Sequence, residues 1–158
     1  MQKCIIRKIK SKDASSIYKL VKKCIPLDLN SLYSYSLLGL FFHDTCFVAE
    51  SNKSIIGFVS WFITPKCKNY FLWQIGILPK YRNSQIALQL LENVLKVARK
   101  KLCKKIKLTI DPKNIKSKKL FKKFVNINNL SLTEKNILKL LKSDGISFQN
   151  EQVIEIIL

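Results

Sequence analysis

The sequence predicts an α/β fold, in which helices cover both faces of a mixed central β-sheet. Two observations favour this class. Segments with strand character alternate with segments of helical periodicity, and a strand–helix–strand run at the centre of the chain demands a parallel strand pair with a right-handed crossover. The chain has 158 residues, of which 47% are apolar, and this suits one folded domain spanning residues 1–158.

The N-terminal part of the chain predicts one strand, two helices and a meander. Residues 4–9 have strand character. Ser11 can cap a first helix, whose apolar residues recur at helical spacing until Pro26 ends it. Asn30 or Ser31 can cap a second helix. Three β-rich runs then predict the strands of the meander, over residues 45–50, 54–63 and 69–78, with turn residues at 51–53.

The C-terminal half predicts three further helices and two strands. An amphipathic helix over residues 85–102 precedes a strand over 104–110 and a basic helix over 114–124. The tetrapeptide Ser131-Leu132-Thr133-Glu134 has the form of a capping box, which predicts a helix through residues 137–141 that Gly145 ends. Residues 152–158 predict the last strand.

The charge balance is strongly basic, with 29 Lys plus Arg against 10 Asp plus Glu and a net charge of +19. Only three of the basic residues are arginines, and the lysines are spread along the chain rather than clustered or interleaved with aromatic residues. We therefore expect a solvated basic surface rather than a nucleic-acid site. The surface should still attract small anionic ligands.

The cysteine and histidine content argues against a disulfide framework and a metal site. The five cysteines are odd in number and form no C-x-x-C pair, and the chain has one histidine. Reduced thiols indicate a cytoplasmic protein, and no apolar run approaches the ~20 residues of a membrane span. The sequence leaves open whether the protein forms a homodimer.

The loop over residues 79–87 lies between a predicted strand and the start of the long helix, where unpaired N–H groups favour a phosphate. Its sequence resembles the pattern P-x-Y-R-x-x-G-x-[GA] of the acetyl-CoA pyrophosphate loop in the GNAT acetyltransferase superfamily. Asn83 and Gln85 depart from that pattern, and glutamine replaces a glycine that lets the backbone approach the phosphates. The resemblance implies that the residues contacting the cofactor are Ile75, Ile77, Arg82, Asn83, Ser84, Gln85, Ile86 and Ala87.

A second segment, over residues 109–121, resembles the T-I-x-P-x-N-x-x-S-x-x-L-F pattern of the same superfamily. The resemblance implies that Asn114 and Ser117 contact the pantetheine arm of acetyl-CoA. Asn114 can equally cap the following helix, and the two roles can coexist. Phe121 stands where many relatives have a tyrosine general acid, so no tyrosine acid is expected there.

Residues 25–38 resemble the P-L-D-x-N-S-x-Y-x-Y-x-L-L signature of one GNAT family, the L-2,4-diaminobutyrate acetyltransferases of ectoine biosynthesis. The runs T-C-F-V-A-E, G-F-V-S and F-L-W-Q-I at residues 45–50, 57–60 and 71–75 match further strands of that family. The matches keep their order across about two thirds of the chain, whereas the tail after Phe124 matches poorly.

The candidate acceptor residues follow from the chemistry of diaminobutyrate, which has two ammonium groups and one carboxylate. Asp28 can pair with an ammonium group or with the start of a helix. Tyr33 and Trp73 can wall the pocket, or pack in the core. Glu151 can bind an ammonium group or accept a proton, and its alternative role is that of an exposed carboxylate.

The resemblance implies an N-acetyltransferase that acts on the 4-amino group of L-2,4-diaminobutyrate by direct attack on acetyl-CoA, which would lie between the strands at 69–78 and 104–110. Backbone N–H groups near Ile75 and Ile77 would stabilise the oxyanion, Asp28, Glu151 or a water chain would remove the proton, and no metal is expected. Two alternatives stay open. One is a GNAT enzyme for a polyamine or a protein N-terminus, and the other is a degenerate domain that binds an anionic partner.

Overall fold

The computed structural model describes residues 4–64, 69–82, 84–141 and 145–158, along which strands and helices alternate. The strands are β1 (Ile5–Lys8), β2 (Phe47–Ser51), β3 (Ser54–Ile63), β4 (Tyr70–Ile77), β5 (Lys105–Ile110), β6 (Ser131–Leu141) and β7 (Phe148–Ile157). The helices are α1 (Ala14–Val21), α2 (Leu32–Phe41), α3 (Ile86–Lys100) and α4 (Ile115–Ile127), with 3₁₀ turns at Ser11–Asp13 and Pro79–Tyr81. The predicted α/β class is confirmed.

The chain divides into two compact units. Residues up to 62 together with 72–97 form the first unit, and residues 63–71 with 98–158 form the second.

The first unit contains an antiparallel meander. β1 pairs with β2, and β2 pairs with β3 across a bulge between Ala49 and Glu50. Asn52 and Lys53 have φ angles of 49° and 59°, which form the tight turn that the sequence predicted between these strands. β4 continues the meander, and its end is held by a 2.9 Å hydrogen bond from the Leu78 N–H to the Ile56 carbonyl.

The core of the first unit lies where α1 and α2 pack against the meander. The apolar side of α1 buries Ile17 and Leu20 completely or nearly so. The ring of Tyr35 in α2 meets the rings of Tyr18 and Phe58 edge to face, with centroids 6.5 and 6.2 Å away. These contacts fix α2 and therefore the segment that leads into it.

The second unit is an antiparallel three-stranded arrangement in the order β5-β7-β6, accompanied by α4. α4 buries Phe121, Phe124 and Val125. Glu155 on β7 forms ion pairs with Lys107 and Lys105 of β5, at N–O distances of 3.0 and 3.2 Å. These ion pairs lie between the paired strands β5 and β7, whose register runs from Lys105↔Ile157 to Ile110↔Gln152.

The prediction of a helix after the capping box at 131–134 is wrong. These residues begin β6, which runs to Leu141 and pairs with β7 from Ser131↔Ile157 to Leu141↔Phe148. A capping box stabilises a helix start by only about 1 kcal/mol, so a full ladder of strand hydrogen bonds overrides it. Gly145 has a φ of 70° and lies between the two strands rather than at the end of a helix.

The cysteines that the structure describes are free thiols. Cys24, Cys46 and Cys103 are buried, and burial raises the pKa of Cys46 to about 11. Cys67 lies outside the described residues. Within the described part of the chain, no helix is both long enough and apolar enough to cross a bilayer.

Candidate active site

The loop between β4 and α3 combines an exposed guanidinium with the start of a long helix. The 3₁₀ turn at Pro79–Tyr81 ends at Arg82, whose Nε donates a 3.4 Å hydrogen bond to the Ile77 carbonyl. Ser84 then closes the loop, since its hydroxyl donates to the Tyr81 carbonyl at 2.6 Å and accepts from the Ile86 N–H at 3.4 Å. The first turn of α3 has no acidic residue, so the positive end of its dipole is available to an anion.

Gln85 stands at the glycine position of the P-x-Y-R-x-x-G-x-[GA] pattern, and its side chain is exposed. The non-glycine residues with positive φ in the described chain are Asn52, Lys53, Leu102 and Asn129, so Gln85 does not need the left-handed backbone that glycine favours. Asn83, the other departure from the pattern, lies outside the described residues. At Gln85 the glutamine therefore strains no backbone angle.

The carbonyl of Ile77 accepts two hydrogen bonds beside this loop. Cys24 donates its thiol to this oxygen at 3.3 Å, in addition to the bond from Arg82. Burial raises the pKa of the Cys24 thiol, and the nearby Arg82 opposes that rise. The interaction joins the end of β4 to the residue that precedes the loop at 25–31, a contact that the sequence analysis did not predict.

A buried polar network fixes the segment before α2. The Gln74 Nε2 donates a 2.7 Å hydrogen bond to the Asp28 carbonyl. The Tyr35 hydroxyl donates to the Gln74 Oε1 at 3.3 Å and accepts from the Asn30 N–H at 3.2 Å. Tyr35 and Gln74 are 0% and 4% exposed, so the network is shielded from water. Sequence reasoning missed both residues as parts of the site.

The side chains of Asp28 and Tyr33 are open to solvent. Among the described residues the Asp28 carboxylate has no hydrogen-bond or ion-pair partner, and Ser31 caps α2 by accepting from the Ser34 N–H at 3.1 Å. Of the two capping residues that the sequence allowed, Asn30 and Ser31, the structure therefore shows Ser31. Tyr33 is 71% exposed, which excludes the alternative that it packs in the core.

Trp73 lies on β4 next to Gln74 and is half-buried. Its ring is 5.6 Å from that of Phe62, which in turn meets Phe42 at the end of α2 at 4.9 Å. Trp73 therefore belongs to an aromatic cluster at the margin of the core of the first unit. Ile75 and Ile77 are likewise half-buried, two and four residues further along the strand.

In the second unit, Asn114 caps α4, because its Oδ1 accepts a 3.1 Å hydrogen bond from the Ser117 N–H. The capping role that the sequence allowed for Asn114 is thus present. Glu151 lies on β7 opposite Leu138 of β6 and is half-buried, so it is not the fully exposed carboxylate of the alternative interpretation. Phe121 is buried.

The part of the chain that the structure describes contains no set of side chains that could bind a metal ion. No group of three or more His, Cys, Asp or Glu side chains lies close enough together there to hold an ion. The single histidine, His43, is exposed on the connection between α2 and β2. What the first unit offers instead is a positive helix start and, on a separate segment, an open carboxylate.

Comparison with known proteins gives consistent matches. Residues 14–125 match the model of the acetyltransferase (GNAT) family. The L-2,4-diaminobutyric acid acetyltransferase of Chromohalobacter salexigens is 41% identical over 123 residues, which cover 77% of this chain and 64% of the relative. That of Marinococcus halophilus is 36% identical over 125 residues, which cover 77% of this chain and 70% of the relative. The match thus spans just under two thirds of the Chromohalobacter protein.

A solved structure extends the similarity to the tail. Diaminobutyrate acetyltransferase EctA from Paenibacillus lautus, in complex with its substrate L-2,4-diaminobutyric acid and coenzyme A, has a TM-score of 0.91 to this chain at 28% identity. The alignment covers 99% of this chain and 96% of that one. The fold predicted from the sequence is therefore confirmed as the fold of these acetyltransferases, including the part after Phe124 that matched poorly in sequence.

Proposed function

Since the chain belongs to the L-2,4-diaminobutyric acid acetyltransferases of the acetyltransferase (GNAT) family, we propose that it transfers an acetyl group from acetyl-CoA to the 4-amino group of L-2,4-diaminobutyrate. The reaction is the acetylation step that the family signature implies for ectoine biosynthesis. The observation that carries the proposal is the similarity over nearly the whole chain to a structure with this diamino acid and coenzyme A.

The cofactor proposal rests on the loop between β4 and α3. Arg82 is exposed and the first turn of α3 is free of acidic residues, so both fit a pyrophosphate. Ser84, Gln85, Ile86 and Ala87, together with Asn83, supply the backbone of this loop. Acetyl-CoA supplies the activated thioester when it binds. The N–H groups near Ile75 and Ile77 are proposed as donors that stabilise negative charge on the carbonyl oxygen during transfer.

The acceptor proposal rests on the segment before α2. The Asp28 carboxylate is exposed and without a partner among the described residues, so it is available to an ammonium group. Tyr33, five residues further on, offers an exposed ring and hydroxyl. Trp73 offers a half-buried aromatic face that can attract a cation. Asp28 is also the proposed acceptor, directly or through water, of the proton that the 4-ammonium group loses.

Three residues of the second unit complete the proposal. Asn114 and Ser117 are proposed to contact the pantetheine arm at the start of α4, where the Asn114 amide nitrogen is not used by the cap. Glu151 is proposed as a second carboxylate for the substrate, either to bind an ammonium group or to accept its proton.

We also propose that two copies form a homodimer through β6. This strand is outermost in the β5-β7-β6 order and exposes Ile137 and Leu141 by 55% and 59%. Antiparallel pairing of two copies about the midpoint between residues 136 and 137 would place Glu134 opposite Lys139, so the charges are complementary. Light scattering after gel filtration tests this, and a protein that stays monomeric at high concentration would contradict it.

We also propose that the protein acts in the cytoplasm.

The decisive experiment is an acetyl-CoA-dependent assay with a panel of amines: L-2,4-diaminobutyrate, shorter and longer diamino acids, a polyamine and a peptide N-terminus. We expect the highest kcat/KM for diaminobutyrate, with the product acetylated at N4 by NMR. A preference for the polyamine or the peptide would replace the proposed substrate. Absence of turnover together with no thermal shift by acetyl-CoA would indicate a non-catalytic domain, because a bound ligand stabilises the folded state.

A further inference from the structure

Tyr35 and Gln74 hold the acceptor segment from two different elements, α2 and β4. We propose that they are positioning residues which set the selectivity of the enzyme for the length of the diamino acid. The inference rests on the proposed function, because it assumes that Asp28 contacts the acceptor. Neither residue belongs to the set expected to contact substrate or cofactor.

The network reaches the backbone of the segment at two points. Gln74 binds the carbonyl of Asp28 at 2.7 Å, and Tyr35 binds the N–H of Asn30 at 3.2 Å. These two backbone groups belong to the two peptide units that follow the Asp28 Cα, so the hydrogen bonds restrain the direction in which the Asp28 side chain leaves the chain. The carboxylate itself has no hydrogen-bond or ion-pair partner among the described residues and is exposed.

The pair is built so that it can hold this position. Both polar ends of the Gln74 amide are occupied, one by Tyr35 and one by Asp28, and the side chain is 4% exposed. The Tyr35 ring cannot swing, because the rings of Tyr18 and Phe58 contact it edge to face. A buried amide that lost these partners would have an unsatisfied polar group, so the network favours one conformation of the segment.

A fixed carboxylate at one end of the acceptor allows the site to measure chain length. Diamino acids that differ by one methylene place their ammonium groups more than 1 Å apart, and enzymes distinguish one methylene by about 10–200-fold in kcat/KM. If the segment that carries Asp28 could move, the site would accept diamino acids of both chain lengths. Loosening it should therefore reduce the discrimination between diaminobutyrate and ornithine more than it reduces the rate with either one.

The test uses Tyr35→Phe, which keeps the ring, and Gln74→Met, which keeps the length of the side chain. Tyr18→Phe is the matched control, since it removes a hydroxyl from the ring next to Tyr35 without touching the segment. We expect the ratio of kcat/KM for diaminobutyrate over ornithine to fall about tenfold in both variants and to stay unchanged in the control. The KM for acetyl-CoA should stay within about twofold of wild type. Amide hydrogen exchange at Asn30 should accelerate in Tyr35→Phe.

The outcomes separate this inference from the proposed function. A wild-type protein that acetylates no diamino acid would overturn the proposed function, and the positioning role with it. An active wild type whose two variants keep the selectivity ratio would overturn the positioning role alone, even if their melting temperatures fall, since a lower melting temperature reports only a structural contribution. Unchanged exchange at Asn30 in Tyr35→Phe would also contradict it.

Discussion

The Arg7 guanidinium donates two hydrogen bonds to the carboxylate of Asp13, from Nη1 to Oδ2 at 2.7 Å and from Nη2 to Oδ1 at 3.0 Å. Its Nε donates a third to Glu50 at 2.7 Å, so one side chain of β1 binds both the turn before α1 and the adjacent strand β2. Asp13 is 5% exposed. Burial alone would raise its pKa, but the hydrogen bonds from Arg7 and from the Lys10 N–H outweigh burial and lower it.

The first prediction concerns acid stability. The pKa of Asp13 is lower in the folded than in the unfolded chain, so its contribution is complete above about pH 4 and is lost as the pH falls through the folded value. Asp13→Asn should lower the free energy of unfolding by about 1–3 kcal/mol at pH 7 and flatten its decline below pH 4. Urea unfolding from pH 2 to 7 measures both effects. Asp44→Asn, which affects the exposed pair with Lys8, is the control and should cost less than about 1 kcal/mol.

The second prediction separates charge from capping in the acceptor segment. Asp28→Asn keeps the shape and removes the charge, so kcat/KM for diaminobutyrate should fall about tenfold to a hundredfold while the melting temperature stays near wild type. Ser31→Ala is the control, since it removes the cap of α2 and should lower the stability by about 1 kcal/mol. Normal kinetics with a lower melting temperature in Asp28→Asn would remove Asp28 from the substrate site.

The third prediction concerns the cofactor loop. Arg82→Ala should raise the KM for acetyl-CoA far more than the KM for diaminobutyrate, because the guanidinium is proposed to contact the pyrophosphate. Lys80→Ala removes another exposed positive charge two residues earlier and should have a smaller effect on both constants. Steady-state kinetics with each substrate varied in turn measure the difference. Equal increases in both KM values for Arg82→Ala would mean that the loop is assigned to the wrong ligand.

The fourth prediction concerns the departure from the glycine pattern. Because the Gln85 side chain is exposed and its backbone angle is not left-handed, Gln85→Gly should leave the affinity for acetyl-CoA unchanged or improve it. Calorimetric titration with acetyl-CoA, in the absence of an amine, measures the affinity. Loss of binding would show that the glutamine side chain has a contact of its own with the ligand.

The elements that were predicted correctly carry their signals in a few neighbouring residues. The turn of Asn52 and Lys53 and the cap of Ser31 are local, and the structure confirms both. The helix at 131–141 was wrong for the opposite reason. Its capping box is a local pattern, whereas the strand that forms there depends on β7, whose residues pair with it from as far as Ser131↔Ile157.

The motifs supplied candidate residues for the site, but they gave no information on the distant contacts that hold these residues in place. Asp28 and Gln74 are 46 residues apart, and nothing in the local pattern joins the carbonyl of one to the amide of the other. Nothing in the local sequence around Tyr35 indicated that its hydroxyl would have buried polar partners. A sequence motif can identify which residue type stands at a position. It cannot identify the hydrogen-bond partner that the folded chain brings next to that residue from a distant segment.

The last prediction tests the contact between α2 and the turn before α1. Gly39 lies within a helix, where alanine normally stabilises by about 1 kcal/mol. Here the added methyl group would clash with the Ser11 nitrogen and the Lys10 carbonyl carbon, and backbone atoms cannot move aside as the end of a side chain can. Gly39→Ala should therefore destabilise the protein by about 1–3 kcal/mol, the usual cost of overpacking. Ser36→Ala on the same helix is the control and should be neutral or stabilising, and chemical denaturation of both variants measures the change. A Gly39→Ala variant more stable than wild type would mean that α2 does not pack against Ser11 this closely.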